Sequence, residues 1–376
     1  MKKENPMVLL SGAGQSPWLD YISRDLLTSG GLARLIAEDG IKGVTTNPTI
    51  FEKAISAGHA YDPQLKELAA AGASPLAAFT VMATDDVRAA ADLLSGVYNE
   101  SGGADGFVSI EVEPDLAHDT AATVSRAVEL YALVNRPNVL VKIPATKEGL
   151  PAIEETISLG VPVNVTLIFS VHRYEEVAAA YIRGVERLVE AGGQPRSVAS
   201  VASFFVSRVD TAVDKQLSEL AHRWPGSPKA ETAHDLMGTI AVANARIAFA
   251  RSLAIFATPR WQVLAAKGGR VQRPLWASTG TKDPAYSDVK YIEELIGPGT
   301  VNTMPPATID AFRDHGKVAD ALTGTGEAAH ATLSDLGLLG IGIETVCEQL
   351  EREGVESFTA SYRTLLAAIG KRMAEG

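Results

Sequence analysis

The sequence predicts an α/β fold, a single (β/α)8 TIM barrel with additional C-terminal helices. Three observations lead there. Eight short segments read as strands, most are separated by stretches of helical periodicity, and several are apolar almost throughout. Nearly continuous apolar strands suit a parallel sheet covered by helices. Eight strand–helix alternations suit closure of that sheet into a barrel.

Taken in order, the expected strands also carry polar residues in telling places. Pro17–Ile22 holds Asp20 after Trp18 and Leu19. Gly43–Asn47 puts Thr45 and Asn47 on one face. Gly106–Val112 carries Glu111 two positions beyond Ser109, and Val139–Ala145 is interrupted by Lys142 in VLVKIPA. Asn164 and Thr166 share a face of Val163–Phe169. Ser203 and Phe205 share one in Val198–Val206, with Arg208 just beyond. Pro274–Ser278 and Gly299–Met304 complete the set.

Between strands, Val171–Val189 repeats Tyr174, Val177, Tyr181, Val185 and Leu188 at helical spacing. Arg208 to Arg273 has room for at least two helices, including Ala230–Leu253, with a break at Trp224-Pro225-Gly226-Ser227-Pro228. The expected organisation is one domain over 1–376, with 307–376 as a helical extension packed on the barrel. Ser357–Met373 is its firmest helix. A separate C-terminal domain is the competing arrangement, but about 70 residues would need their own core.

The chain of 376 residues is 46% hydrophobic and 21% charged, a globular composition, and this length fits one α/β barrel. Its 34 Lys plus Arg against 45 Asp plus Glu give a net charge of -11. That balance argues against nucleic acid and anionic membranes as partners, though one local cation can still hold an anionic metabolite. The single cysteine, Cys347, excludes an intrachain disulfide and a multi-thiolate metal site. MKKENPMVLLSG has only a four-residue apolar run, far short of a signal peptide, so the expected compartment is the cytoplasm. Gly12–Gly14 is too brief for a dinucleotide loop, and no phosphate-binding Lys-Ser/Thr loop occurs. The seven histidines show no metal-binding spacing. His59, His172 and His234 read as surface or supporting residues, so no metal is expected.

Strand alternation sets Leu140 and Lys142 on one face and Val141 and Ile143 on the other. If the latter pair faces the helices, Lys142 points into the barrel, at a large desolvation cost unless paired or neutralised. A snorkelling strand-end lysine or a structural ion pair is the competing reading. Each other polar residue also has a plain alternative as a core hydrogen bond or helix cap, Asn47 before Pro48 above all. Together they put polar groups on almost every strand, several near the carboxyl end where barrel active sites form. A neutral lysine amine attacks a ketone and loses water to give an iminium, which accepts electrons when a neighbouring carbon–carbon bond breaks. Carboxylates then move protons, while hydroxyls and amides orient a polyol.

At GVTTNPTIF, VKIPATKEG, NVTLIFS and SFFVSRVD, from Asp20 through Met304, the chain resembles the transaldolase family. GVTTNPTIF alone marks the wider group that includes fructose-6-phosphate aldolases. The long tail and RPLWASTGTKDP are similar to the longer bacterial form. The resemblance implies a cofactor-free class I barrel enzyme of the non-oxidative pentose phosphate pathway. Such enzymes move a dihydroxyacetone unit from sedoheptulose 7-phosphate to glyceraldehyde 3-phosphate, giving erythrose 4-phosphate and fructose 6-phosphate. It implies Lys142 as the Schiff-base lysine and Asp20 as the carboxylate exchanging a proton at the cleaved bond. The resemblance further implies that Glu111 works through a water held partly by Thr166, and that Asn47 and Asn164 hold the dihydroxyacetone hydroxyls and the intermediate. It implies Ser203 and Arg208 as substrate-side groups, with Arg208 at the phosphate. Many members have a second phosphate-binding arginine after strand seven. Here Ala277-Ser278-Thr279-Gly280-Thr281-Lys282 stands instead, leaving Lys282, Ser278 or backbone amides for that task.

The implied partners are sugar phosphates, and a homo-oligomer is compatible. An aldolase releasing free dihydroxyacetone from fructose 6-phosphate would use the same iminium. Phe205 favours transfer over it, because an apolar side chain there slows proton delivery to the enamine. A non-catalytic sugar-phosphate binder on the same scaffold would not need Lys142 and Asp20, and both are present.

Overall fold

The computed structural model describes residues 4–56 and 58–375; Met1, Lys2 and Lys3 of the N-terminal stretch lie outside them. Eight parallel strands close a barrel in chain order. They are β1 (Gln15–Leu19), β2 (Gly43–Val44), β3 (Phe107–Glu111), β4 (Val139–Pro144), β5 (Val163–Ile168), β6 (Ser200–Phe205), β7 (Arg273–Ala277) and β8 (Thr300–Met304).

Two strands differ from expectation where polar residues are recruited. β1 starts at Gln15, ahead of Pro17, because β8 supplies partners from Thr300 onward and the Gln15 amide donates to Thr300 Oγ1. It ends at Leu19, so Asp20 stands just past the strand. β2 is only two residues long, and Thr45 and Asn47 lie beyond it. There the Thr46 carbonyl accepts from Lys142 Nζ and its hydroxyl donates to the Ser109 carbonyl.

Alternation sends Ser16, Trp18 and Asp20 towards the lumen, where they meet partners from across the barrel. At the amino end, Asp105 accepts from Ser16, Trp18 and Arg273 at 2.6, 3.1 and 2.9 Å. The Trp18 ring fills the lumen over Gly43, where any Cβ would fall 2.4 Å from ring atoms. In mid-barrel, Ser203 donates to Asn164 Oδ1 at 2.7 Å and Asn164 donates to Ser109 Oγ at 3.0 Å. These bonds spare buried polar groups the cost of going unpaired.

Helices cover the outside. The helix Val171–Glu190 is capped by Ser170 and buries Tyr174, Val177, Tyr181, Val185 and Leu188, the expected stripe. From Ser207 to Ala266 there are four helices, with the expected break between Arg223 and Pro228. The expected single helix Ala230–Leu253 is instead Pro228–Leu236 and Ile240–Phe256. Gly238, at φ +70°, turns the chain between them and donates its amide to Asp214.

The last helix, Ile343–Glu375, is longer than Ser357–Met373. It packs along the helix Pro48–Ser56, where Thr49 Oγ1 donates to Ser361 Oγ at 2.9 Å. Arg372 also binds the Ile55 and Gly58 carbonyls and Asp62. Cys347 is buried in this helix, its thiol donating to the Phe169 carbonyl, and burial pushes its pKa up. Among the described residues no single helix is long and apolar enough to cross a membrane.

Candidate active site

A cavity of about 410 Å³ opens at the carboxyl ends of the strands. Asp20, Asn47, Lys142, Thr166, Ser203, Phe205, Arg208, Ser278 and Lys282 all line it. Lys142 is 4% exposed. β4 carries it inward between the pairing partners Glu111 of β3 and Asn164 of β5. Its Nζ donates to the Thr46 carbonyl at 2.8 Å and stands 3.3 Å from Glu111 Oε2. The inward lysine therefore does have an ion-pair partner, and it also faces open space.

Asp20 accepts from Thr45 Oγ1 at 2.6 Å, and Thr303 Oγ1 lies 2.6 Å from the same hydroxyl. Burial raises the Asp20 pKa, offset in part by the Lys142 charge, the Thr45 bond, Lys282 and Arg208. Burial likewise raises that of Glu111 against the opposing pull of Lys142. Two carboxyls with raised pKa values near one amine suit the exchange of protons with a substrate.

Glu111 and Asn164 do not line the main cavity. Asn164 is tied into the Ser109–Ser203 chain. Glu111 borders a separate space of about 20 Å³, with Thr46, Asn47, Arg126 and Tyr362, roughly the room of one water. Thr166 Oγ1 and Glu111 Oε2 are buried without a hydrogen bond, so each can still serve a water or a substrate. Asn47 fills both roles considered for it. Its Oδ1 caps the helix Pro48–Ser56 by accepting from Ile50 N at 2.9 Å, and the residue also lines the cavity.

Arg208 opens the helix Ser207–Arg223, and its guanidinium lies 5.5 Å from the centroid of the Phe205 ring. Burial pulls its pKa down, while Asp20 opposes that. Partial desolvation first, then the Arg208 charge, lowers that of Lys282. Lys282 makes no ion pair among the described residues. Asp283 is occupied by the Ala285 amide at 2.8 Å and does not hold it. Ser278 adopts φ +57°, a strained conformation for a residue with a Cβ, and its hydroxyl is 3.0 Å from that of Ser207.

Lys53, Thr303 and Phe358 are among the further lining residues that the sequence did not point to. Lys53 sits one turn after Thr49, on the face of the Pro48–Ser56 helix that reaches the cavity. That spacing from Asn47-Pro48 was its only sequence signal. Phe358 arrives on the C-terminal helix, whose placement no local pattern reports. His59, His172 and His234 are all exposed.

Barrel and cavity together define a (β/α)8-barrel enzyme with its reactive groups gathered at the carboxyl ends of the strands. Residues 17–369 match the model of the transaldolase/fructose-6-phosphate aldolase family, and the chain belongs to that family. Relatives include transaldolase 1 of Streptomyces coelicolor, 53% identical over 97% of this chain and 94% of the relative. Transaldolases of Mycobacterium tuberculosis and Acidothermus cellulolyticus are 51% and 52% identical, covering 97% and 98% of this chain and 97% of each relative.

Proposed function

We propose that the chain is a transaldolase, moving a dihydroxyacetone unit between sugar phosphates through a Schiff base on Lys142. The observation that carries this reading is the Lys142 amine, buried beside Glu111 and open to a cavity that also holds Asp20. The amine attacks the ketone carbon of sedoheptulose 7-phosphate or fructose 6-phosphate, and the carbonyl oxygen leaves as water. Glu111 moves protons in these steps through a water that Thr166 helps to hold. Asp20 then takes the proton of the hydroxyl at the cleaved bond. The carbon–carbon bond breaks, its electrons pass to the iminium, and an aldose phosphate leaves. The enamine attacks the incoming aldehyde, and Asp20 returns a proton to the new hydroxyl. Water finally releases the product from Lys142.

Asn47 and Ser203 orient the polyol, and buried Asn164 acts through Ser203, whose hydroxyl it holds. Arg208 anchors the phosphate, with Lys282 and Ser278 beside it. Phe205 packs against Phe169 at 5.1 Å between ring centroids and brings no proton donor to the enamine. That favours transfer to an aldehyde over release of free dihydroxyacetone. A cytoplasmic setting goes with phosphorylated sugars, whose charge keeps them from crossing membranes unaided.

Borohydride reduction in the presence of fructose 6-phosphate, followed by peptide mass mapping, tests the reading. The expected result is one reduced dihydroxyacetone adduct, on Lys142. An adduct elsewhere, or none while the sugar phosphate demonstrably binds, overturns it.

A further inference from the structure

Lys282 stands on the connection between β7 and β8, and that connection is fastened to the Arg208 helix at two points. Asp210 and Asp214 lie one turn apart on the helix Ser207–Arg223. Asp214 Oδ2 accepts from Tyr286 OH at 2.8 Å, and its Oδ1 accepts from Gly238 N at 2.9 Å. Asp210 Oδ2 accepts from Tyr291 OH at 2.8 Å, and its Oδ1 accepts from Ala241 N at 2.7 Å. Each carboxylate thus bonds one tyrosine of the connection and one backbone amide, Gly238 at the turn or Ala241 in the first turn of the helix that follows. Hydrogen bonds to ionised acceptors are about twice as strong as neutral ones.

We propose that Tyr286 and Tyr291, clasped by Asp214 and Asp210, are positioning residues that keep Lys282 at the substrate cavity and so raise the preference for phosphorylated sugars. This rests on the reading of Lys282 as a phosphate-side cation.

The local geometry makes Lys282 depend on the clasp. A second cavity of about 470 Å³ lies behind it, lined by Lys282 together with Asp210, Asp214, Lys215, Asp283 and Tyr286. Lys282 therefore stands between two open spaces. No ion pair fixes it among the described residues. The loop does close on itself, since Thr281 Oγ1 donates to the Ser287 carbonyl at 2.8 Å and the Ala285 amide donates to Asp283. The segment from Thr281 to Ser287 is thus closed on itself, and Tyr286 ties it to the helix. Lys290 reinforces this end, its Nζ 5.8 Å and 6.0 Å from the ring centroids of Tyr286 and Tyr291.

Breaking the Tyr286 bond has a second effect. It frees Asp214 Oδ2, a carboxylate oxygen on the wall of the rear cavity that Lys282 also lines. The lysine then has an acidic destination away from the substrate, and the phosphate loses a cation. No contact of Lys142 or Glu111 is broken, and Asp20 keeps its Thr45 bond.

The test measures kcat and KM for fructose 6-phosphate and free fructose, with unphosphorylated glyceraldehyde as common acceptor. Tyr286→Phe keeps the ring against Gly238. It is expected to raise KM for fructose 6-phosphate on the order of tenfold, the loss of roughly one charged contact, with kcat and free-fructose use unchanged. Tyr291→Phe is expected to act in the same direction and serves alone if the first variant does not fold. Asp214→Asn should retain the preference, because the amide still accepts from Gly238 and donates to the Tyr286 oxygen. In a Lys282→Ala background, Tyr286→Phe should cost nothing further. If Lys282→Ala leaves the preference intact, the phosphate reading of Lys282 and this inference both fall. If Lys282→Ala lowers it but the tyrosine variants do not, the clasp alone is refuted. Equal loss on both sugars, or a loss that persists without Lys282, refutes it too.

Discussion

Glu111 and Lys142 are direct partners in the β3–β4 register, and Glu111 Oε2 stands 3.3 Å from Lys142 Nζ. Both side chains are almost wholly out of solvent, at 7% and 5% exposure. Taking two charges into a barrel lumen costs several kcal/mol for each ion, and their mutual attraction recovers this only with good geometry. Here the geometry is incomplete, since Glu111 Oε2 makes no hydrogen bond and burial still raises the Glu111 pKa. A pair so placed is poorly explained as a stabilising device and well explained as an amine and a carboxyl kept ready for chemistry.

Lys142→Met is expected to remove turnover by at least ~10³-fold while the barrel persists, because methionine fills similar volume and cannot form an imine. Glu111 then loses its nearby cation, so burial drives it further towards the protonated form and little uncompensated charge remains. Donor-dependent formation of erythrose 4-phosphate measures the activity, and circular dichroism checks the fold. Near-normal turnover would remove Lys142 as the covalent residue.

Asp20→Asn and Glu111→Gln should fail at different steps. An amide at position 20 keeps the Thr45 contact but cannot take the hydroxyl proton, so imine formation survives and carbon–carbon cleavage slows by ~10²-fold or more. Glutamine at position 111 instead slows imine formation and release. Stopped-flow records of the two phases separate these outcomes. Equal slowing of imine formation in both variants, with cleavage intact in Asp20→Asn, refutes the division of roles.

The strands were legible because a helix-covered parallel barrel demands apolar runs, and the polar interruptions in those runs stood out. That logic located Lys142, Ser203 and Thr166 directly. It misjudged β2, where the Thr46 carbonyl serves Lys142 in place of the ladder, and it could not see Lys53 or Phe358, which reach the cavity from helices. Of the C-terminal helix, the sequence marks only Ser357–Met373 firmly, whereas the helix runs Ile343–Glu375. In the structure Gly354 lies buried mid-helix, where an added Cβ would come within 2.9 Å of the Leu167 side chain. Leu167 itself sits at φ +59° where β5 slips register against β6, and no local pattern announces such a bulge.

Asp210 gives a pH dependence of stability with a definite sign. Burial pushes its carboxyl up to about 6 from an ordinary value of 3.8, against hydrogen bonds from Ala241 and Tyr291 and the charge of Lys290. Between those values the native protein holds a proton that the unfolded chain has released, so this stabilisation is full at low pH and is lost as pH rises through about 6. The shift corresponds to ~3 kcal/mol, to order of magnitude. Urea unfolding of the parent protein and Asp210→Asn from pH 4.5 to 8 isolates this group from the other buried carboxyls. The expected result is a difference in unfolding free energy that moves in favour of the variant as pH rises. A pH-independent difference means that Asp210 does not titrate in this window.

The phosphate grip should be unequal between its cations. Arg208 is half-buried at the start of its helix, held over the Phe205 ring, and presents two donors in a fixed plane. Lys282 offers a single flexible ammonium on an exposed loop, and Lys53 stands as a third cation on the opposite helix. A planar fork can bind two phosphate oxygens at once, whereas an ammonium acts as a point charge. Arg208→Ala is therefore expected to lower kcat/KM for fructose 6-phosphate ~10²-fold, and Lys282→Ala by ~10-fold. Free fructose should be affected little by either, since the phosphate contacts lie apart from Lys142. Lys53→Gln should have the smallest effect, and one that weakens with added salt, because an exposed charge acts mainly through a screened field. If Arg208→Ala lowers the two sugars equally, the arginine supports the common chemistry or the fold and is not the phosphate anchor. If it leaves the preference untouched while Lys282→Ala abolishes it, the lysine carries the grip, and the absence of a second arginine in this chain has been compensated from the β7–β8 connection alone.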